Sequence, residues 1–577
     1  MNPKGRSYFS YGRTYYRAPG YLFLGRWHLD RKNSFIYGES GIEGVIELAR
    51  LAKIPVQRMA RTSPGTAITS MQLDRAFQEG ILIPWRKGEP ERFKTAWDLL
   101  VADKGGLVFQ PRLGIFEDIA EIDFASMYPT IMAIHNISAE TVLCGCCQNQ
   151  KVPEAGYTIC EKREGIVPKT LKPILARRAW LKKMAKETEC GLRNADCGMK
   201  TKDTKEGRRQ EAESSETDKS EGRKVKAEGG INEVRGTMDD GRIRKTVTPA
   251  CRNAAYLPKT QFGGQALRRA GTDTEIYDRK QTALKWMLVT SFGYLGYRNA
   301  RFGRIEAHEA VTAFGREKLL QAKEICEEEG FELLHALTDS LWIRKKDLKE
   351  EKVLELCGKI SEATGVTMSL EGIYRWMAFL PSKGNPESPV ANRYFGLFKN
   401  GKIKARGLAF RRGDMPPLIQ EAQVKMLEAL ADAKDRNDYQ SKIPKILDLL
   451  LEYRLRLKEG QAKAEDLAIG KRISQEPNAY KVDSLTALAA QQLEDFGIPI
   501  HPGERVRYVI KDALSKDKAE RVKSFPLVGP DDTYDVKKYL ELLLKATEEL
   551  LIHLGYDAKR LKGELETVEE SRVQGFE

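Results

Sequence analysis

At 577 residues the chain exceeds what one hydrophobic core supports and should divide into several domains, and 41% apolar with 31% charged residues describes a soluble globular protein with ample core. No apolar run approaches the roughly 18 residues of a membrane span, and the opening MNPKGRSYFSYGRTYYR lacks the apolar centre of a signal peptide, so a membrane protein is excluded and a cytoplasmic one is expected. The 96 Lys and Arg against 82 Asp and Glu, a net +14, suit a polyanionic partner such as nucleic acid, and nine cysteines in such a chain argue against a disulfide scaffold.

The first ninety residues alternate aromatic, strand-like pieces, such as YLFLGRWHLD at 21–30, with a helical piece, GIEGVIELARLAKI at 41–54. Asp30 and Glu43 are isolated acids read as structural. Residues 113–122, LGIFEDIAEI, read as a short apolar strand that leaves Asp123 at its end with its carboxylate offered to a cleft. Ser126, Met127 and Tyr128 follow, then Pro129, which opens a helix and so brings backbone N–H groups and an aromatic ring beside the carboxylate. Taken alone, this is equally the pattern of a strand-end Asp capping a helix. Next come Cys144, Cys146, Cys147 and Cys160. One C-x2-C pair is present and no second follows, so spacing does not complete a zinc ligand set; plain thiols are expected, with zinc as an alternative.

Residues 165–186 repeat Leu171, Ile174, Leu175 and Leu181 at helical spacing. Arg178 and Lys182, four apart, share a face that could meet a triphosphate or simply be solvated. From 187 to about 261 the sequence has almost nothing to bury (KTKDTKEGRRQEAESSETDKSEGRKVKAEGG at 200–230) and reads as a mostly disordered insertion. Residues 275–306 resume with a helix carrying Arg279, Gln281 and Lys285, expected to end before Gly293. An amphipathic helix follows at 310–330, stopped by Gly330. FELLHALTDSLWIRK, 331–345, reads as a hairpin with Thr338, Asp339 and Ser340 at its polar tip. Residues 391–417 combine Arg393, Lys402, Lys404, Arg406, Arg411 and Arg412 with Tyr394 and Phe398: cations that neutralise phosphates without reading sequence, or a basic strand pair on a solvated face. The remainder is rich in helices, with one strand at 503–510, and its Leu stripes are core.

Several of these stretches, in order, resemble motifs of family B DNA polymerases. Residues 123–129, DFASMYP, are similar to motif A, Asp-x-x-Ser-Leu-Tyr-Pro, with Met for Leu. Arg178 and Lys182 match the Arg-x3-Lys of the first fingers helix. The segment from Arg279 resembles motif B, with Val289 where Asn is usual and Phe292 where Tyr is usual. Residues 335–340 resemble motif C, Tyr-Gly-Asp-Thr-Asp-Ser, with His335, Ala336 and Leu337 in the first three places. Residues 391–414 resemble the segments that track the primer-template duplex, although Ala391 and Asn392 replace two Lys and Gly413 separates Arg412 from Asp414.

The resemblance implies an α+β, multidomain right-hand polymerase with an antiparallel palm, helical fingers and a mostly helical thumb. Residues 1–90 would be a remnant of the exonuclease and N-terminal region, 91–164 and 301–390 palm, 165–300 fingers, and 391–577 thumb. It implies DNA synthesis on primer-template DNA from dNTPs, with two Mg2+ ions held by Asp123, Asp339 and the backbone carbonyl of Phe124. Nucleotide contacts would come from Phe124, Ser126, Met127, Tyr128, Arg178, Lys182, Lys285 and Phe292, with Tyr128 excluding a 2′-hydroxyl. DNA contacts would come from Arg393, Tyr394, Lys402, Lys404, Arg406, Arg411 and Arg412. The family also adds a disulfide, as in some archaeal members, to the alternatives for the cysteines. Tyr37, the best match to the third exonuclease motif, has Gly41 where Asp is needed, so no proofreading is expected from this chain alone. A separate exonuclease subunit and a sliding clamp, the latter suggested by Gln574 and Phe576, are candidate partners. Leu337 in place of an acid motivates the alternative of an inactive DNA-binding or scaffold subunit; Asp123, Tyr128, Lys285 and Asp339 speak for activity.

Overall fold

Paired aromatic residues open the chain as a hairpin. In the computed structural model, β1 (Arg6–Ser10) and β2 (Arg13–Arg17) turn at Gly12 and stack Tyr8 on Tyr15 at 5.7 Å. The structure describes residues 5–10, 12–20, 25, 26, 28–31, 33–85, 90–196 and 265–574. It divides into two units, residues 1–186 with 272–577 and residues 187–271. In the second unit the described residues are helical: they are the end of a helix running to Asp196 and the start of another at Gln265. The insertion read as disordered is therefore helical over 187–196, and its remainder to 261 lies outside the described residues.

All that follows concerns the first unit. The expected strand at 21–30 is not seen at its described residues, 25, 26 and 28–30; the others lie outside the description. The helical piece forms α1 (Tyr37–Ala52), kinked at Gly41, whose φ of 59° a side chain would resist. Then come α2 (Val56–Met59), α3 (Pro64–Gln78), which opens on a proline whose missing N–H would have no partner anyway, and α4 (Ala96–Ala102), started by a Thr95–Asp98 capping box. After β3 (Val108–Phe109), the apolar run at 113–122 is two strands. Asp118, at φ 54°, breaks it into β4 (Gly114–Phe116) and β5 (Ile119–Phe124).

The chain continues through α5 (Met127–Ile134), α6 (Ile166–Asp196), α7 (Gln265–Leu295) and α8 (Ile305–Glu328). α7 passes through Gly293 instead of stopping before it. Its core face of Met287, Leu288 and Leu295 is fully buried, and that packing outweighs the roughly 1 kcal/mol cost of a helical glycine. The hairpin is β6 (Glu332–Leu337) and β7 (Ser340–Arg344); α9 (Glu350–Thr364), β8 (Met368–Pro381), β9 (Pro389–Phe398) and β10 (Ile403–Arg406) follow. The C-terminal part holds α10 (Pro417–Ala431), α11 (Arg436–Ser441), α12 (Ile443–Lys458), α13 (Ala464–Leu467), β11 (Ile469–Arg472), α14 (Leu485–Asp495), β12 (Arg505–Ile510), β13 (Val522–Ser524), α15 (Val536–Leu551) and α16 (Ala558–Gln574).

Eight strands make one antiparallel sheet in the order β10-β9-β8-β5-β7-β6-β3, with β4 also on β8. Alternation sorts its faces. Ala120, Ile122, Phe124, Ala336, Leu341 and Ile343 join the helices in the largest core, whereas Ile119, Leu334, Trp342, Tyr374, Phe379 and Tyr394 form a smaller cluster on the opposite face. β9 and β10, which include residues from 391 on, belong to this sheet. Beyond it a third core joins α10, α12 and α15 to the three-stranded sheet β11-β12-β13. No described helix is long and apolar enough to cross a membrane.

Candidate active site

Strand parity delivers Asp123. Its neighbours Ile122 and Phe124 point into the helical core, so Asp123 faces the other side of the sheet, opposite Ser340 on β7 and Ser369 on β8. The Ser340 hydroxyl donates to Asp123 Oδ1 at 2.6 Å, and the Ser369 hydroxyl to the Asp123 carbonyl at 3.2 Å. Asp339 occupies the two-residue turn between β6 and β7. Thr338 supplies the left-handed residue (φ 58°) and is held by its N–H on the Leu107 carbonyl, while the Phe124 N–H donates to the Asp339 carbonyl at 2.9 Å. The two acids are thus tied through the backbone, although 216 positions separate them in the sequence.

Neither acid ionises freely. Burial, and then the charge of Asp339, push the Asp123 carboxyl up to about 7. Burial also raises Asp339, with the Lys285 ammonium pulling the other way. Two adjacent carboxyls whose charged forms are disfavoured are a donor set that a divalent cation suits, because the cation restores both charges at once. Leu337, in the place of the third acid of the resemblance, lies opposite Ser340 in the hairpin and packs beside Leu334 and Trp342. The turn therefore offers a single carboxylate.

The other nucleotide-site candidates divide. Ser126 is left-handed (φ 52°) at the start of α5, and its hydroxyl accepts from Arg178 Nη1 at 2.5 Å. Arg178 Nε is buried with no hydrogen-bond partner of its own, which leaves it donor capacity to spare. Burial lowers Arg178; it lowers Lys182 too, together with the repulsion of Arg178, Lys186 and Lys285. Lys285 is exposed on α7. Tyr128 packs against Phe292 (4.5 Å), which in turn stacks on His308 (4.1 Å). Burial, then the charge of Asp339, raise the Tyr128 phenol to about 12. Gly106 and Gly315 make its room: a Cβ on Gly315 would fall 2.8 Å from the ring, and one on Gly106 3.2 Å from the hydroxyl. Met127 and the Phe124 ring are buried in the core, so Met127 is a packing residue and Phe124 can offer only its backbone.

The proposed DNA contacts divide as well. Lys402, Arg406, Arg411 and Arg412 are exposed, Arg412 in a two-point pair with Asp414. Tyr394 is 3% exposed and packs edge-on against Trp342, which makes it a core residue. Arg393 donates to the Pro381 carbonyl and pairs with Glu549, and Lys404 Nζ lies 2.6 Å from the buried Glu121 carboxylate. Each has structural work of its own. At the head of the chain Asp30 accepts from Asn33, and Glu43 pairs with Arg279 at 2.9 Å, as isolated structural acids should. The supporting residues that the sequence did not point to are Ser369, Gly106, Gly315 and Glu121; only strand parity around Asp123 carried any signal, and it does not name partners. Elsewhere, the fold brings the sulfurs of Cys144, Cys146, Cys147 and Cys160 within 4.8 Å of one another.

Comparison with known proteins identifies the family. The family model described as DNA polymerase family B matches residues 54–195 and 265–554. The chain is 28% identical over 419 residues to DNA polymerase 2 of Saccharolobus solfataricus, covering 73% of this chain and 50% of that protein. It is 24% identical over 482 residues to a DNA polymerase of Archaeoglobus fulgidus, covering 83% and 48%. A solved structure of the family B DNA polymerase from Pyrobaculum calidifontis shares the fold, with a TM-score of 0.54 and 24% identity over 88% of this chain and 53% of that one. The chain thus spans about half the length of the relatives it matches. With the family model covering most of its residues, the chain belongs to DNA polymerase family B.

Proposed function

We propose that this chain is a DNA-directed DNA polymerase that extends a primer 3′-hydroxyl with deoxynucleotides on a template strand. The observation that carries the reading is the pair of buried carboxyls, Asp123 and Asp339, both with raised pKa, beside three cations, Arg178, Lys182 and Lys285. The two acids would hold two Mg2+ ions, which when bound favour the ionised 3′-hydroxyl and neutralise phosphate charge. Arg178 and Lys182 on α6 and Lys285 on α7 would bind and orient the triphosphate and offset charge that grows on it during displacement. Lys402, Arg406, Arg411 and Arg412 would follow duplex phosphates without reading bases. The relatives named above, both DNA polymerases, support the same substrates.

Primer extension tests this. The 577-residue chain should lengthen a primed template with dNTPs and Mg2+ and do nothing without the metal. With dNTPs withheld, a mismatched primer should keep its length, since Gly41 stands where the third exonuclease motif needs Asp. Duplex binding without any extension would sink the polymerase reading.

Tyr128, wedged between Phe292 and the gap left by Gly106 and Gly315, would lie under the sugar. Tyr128→Ala should lower the preference for deoxyribonucleotides over ribonucleotides by at least about tenfold, or ~1.4 kcal/mol. The ratio of the two kcat/KM values is the readout, because any loss of active protein cancels in it. An unchanged ratio removes Tyr128 from sugar selection.

A further inference from the structure

We infer that Cys144, Cys146, Cys147 and Cys160 bind one zinc ion as four ligands and so pin the loop between α5 and α6. The geometry comes first. A tetrahedral site with Zn–S bonds of about 2.3 Å has sulfurs about 3.8 Å apart. Here Cys146 Sγ lies 3.3 Å from Cys144, 3.7 Å from Cys160 and 3.9 Å from Cys147, and all four sulfurs fall within 4.8 Å. Three neighbours around one sulfur describe a cluster, whereas a disulfide needs a single pair at about 2.05 Å. An iron–sulfur cluster, several atoms across, would hold its cysteines further apart.

Spacing alone missed this because the fourth ligand has no C-x2-C partner. Backbone pairing supplies it instead. Val142 and Ile159 bridge antiparallel, the Leu143 N–H donates to Thr158, and the Cys160 N–H donates to Thr141. Asn149 fastens the ribbon further by both accepting from and donating to the Ile159 backbone at 2.9 Å. Main-chain N–H groups also turn toward the sulfurs: Glu161 toward Cys147 at 3.3 Å, Cys146 and Cys147 toward Cys144, Lys162 and Arg163 toward Cys160. Such donors stabilise thiolate ligands and are what surrounds a bound metal. On binding, each thiol proton passes to solvent and the sulfur's electron pair goes to the ion, with no redox step.

The position gives the site a purpose. Asn136, just past α5, donates to the carbonyls of Cys160 and Arg163 and accepts from the Gly165 N–H at the foot of α6. A zinc ion at Cys160 would therefore brace the helix that carries Tyr128 against the helix that carries Arg178 and Lys182.

The test is metal content. Protein purified without chelator should carry close to one zinc per chain by inductively coupled plasma mass spectrometry, released when a mercurial blocks the thiols. X-ray absorption at the zinc edge should report four sulfur ligands. Removal with a strong chelator should lower the Tm by several degrees, and zinc but not Mg2+ should restore it. Cys160→Ser should lose the metal and Cys357→Ala, in the core, should keep it. If either variant fails to fold, the wild-type content and spectrum still decide. A metal-free protein with all four thiols titrating natively overturns the proposal, as does a pair of thiols that appears only after reduction. None of these readouts depends on polymerase activity.

Discussion

Asp123→Asn should reduce nucleotide incorporation at least about a thousandfold while making the metal-free protein more resistant to heat. Asparagine keeps the size of the side chain and an oxygen for the Ser340 hydroxyl, now 2.6 Å from Asp123 Oδ1, but carries no charge for a cation. Losing one of the two carboxylates proposed to hold the metal ions should remove about 4 kcal/mol of stabilisation, which is roughly three decades in rate. The gain in stability follows from the titration. The Asp123 carboxyl moves from 3.8 up to about 7, through burial first and Asp339 second. A raised acid contributes its full stability below its unfolded value, near pH 3.8, and that contribution is lost as pH rises through 7. Asparagine has no such loss. In metal-free buffer the Tm of the variant should therefore draw ahead of wild type between pH 4 and 7, and Mg2+ should close the gap by stabilising wild type alone. A variant that is inactive and also melts lower at pH 7 would make Asp123 a structural residue.

Lys404→Met should cost about 3–5 kcal/mol of folding stability, the range for removing one partner of a buried ion pair. The Glu121 side chain is 3% exposed and keeps two partners, Lys404 Nζ and the Tyr374 hydroxyl, each at 2.6 Å. Without the lysine, a carboxylate is left inside the sheet with one neutral donor. Adding Glu121→Gln to Lys404→Met should recover most of the loss, because the amide has no charge to strand. Urea midpoints of the four proteins measure the coupling. The DNA-contact role implied by the resemblance predicts a different result, unchanged stability with a salt dependence of duplex binding shallower by about one ion. That result would return Lys404 to the interface.

Lys404 also shows where sequence stops informing. Its partner lies 283 residues away, inside a stretch read as an apolar strand, and no local pattern links them. Local patterns did reveal the hairpin around Asp339, the parity of the strand before Asp123 and the helical face of Arg178 and Lys182, because periods of two and 3.6 are written in consecutive residues. They failed where tertiary packing decides. Gly293 reads as a helix stop yet lies within α7, whose core face extends to Leu295. Tyr394 reads as one aromatic among cations, and only the tertiary structure reveals Trp342 packed edge-on to it, although β8 and β5 lie between their strands in the sheet order. The cysteines lacked a second C-x2-C pair, and the ribbon through Val142 and Ile159 is what brings Cys160 to the other three.

The backbone tie between Asp123 and the β6–β7 turn has a consequence for how the molecule comes into being. β5 sits between β7 and β8, both of which are made more than two hundred residues later, so a growing chain cannot complete the strand that carries Asp123 until Met368–Pro381 has emerged. Pairings at that separation are slow to close. Until they do, β5 exposes two unpaired backbone edges and an apolar face, which invite misregistration and aggregation. Emergence of β7 is thus the step at which a nascent chain first can bring both acids together, and β8 then closes the other edge of β5; pausing translation before β7 should yield chains that bind chaperones but no divalent metal at Asp123.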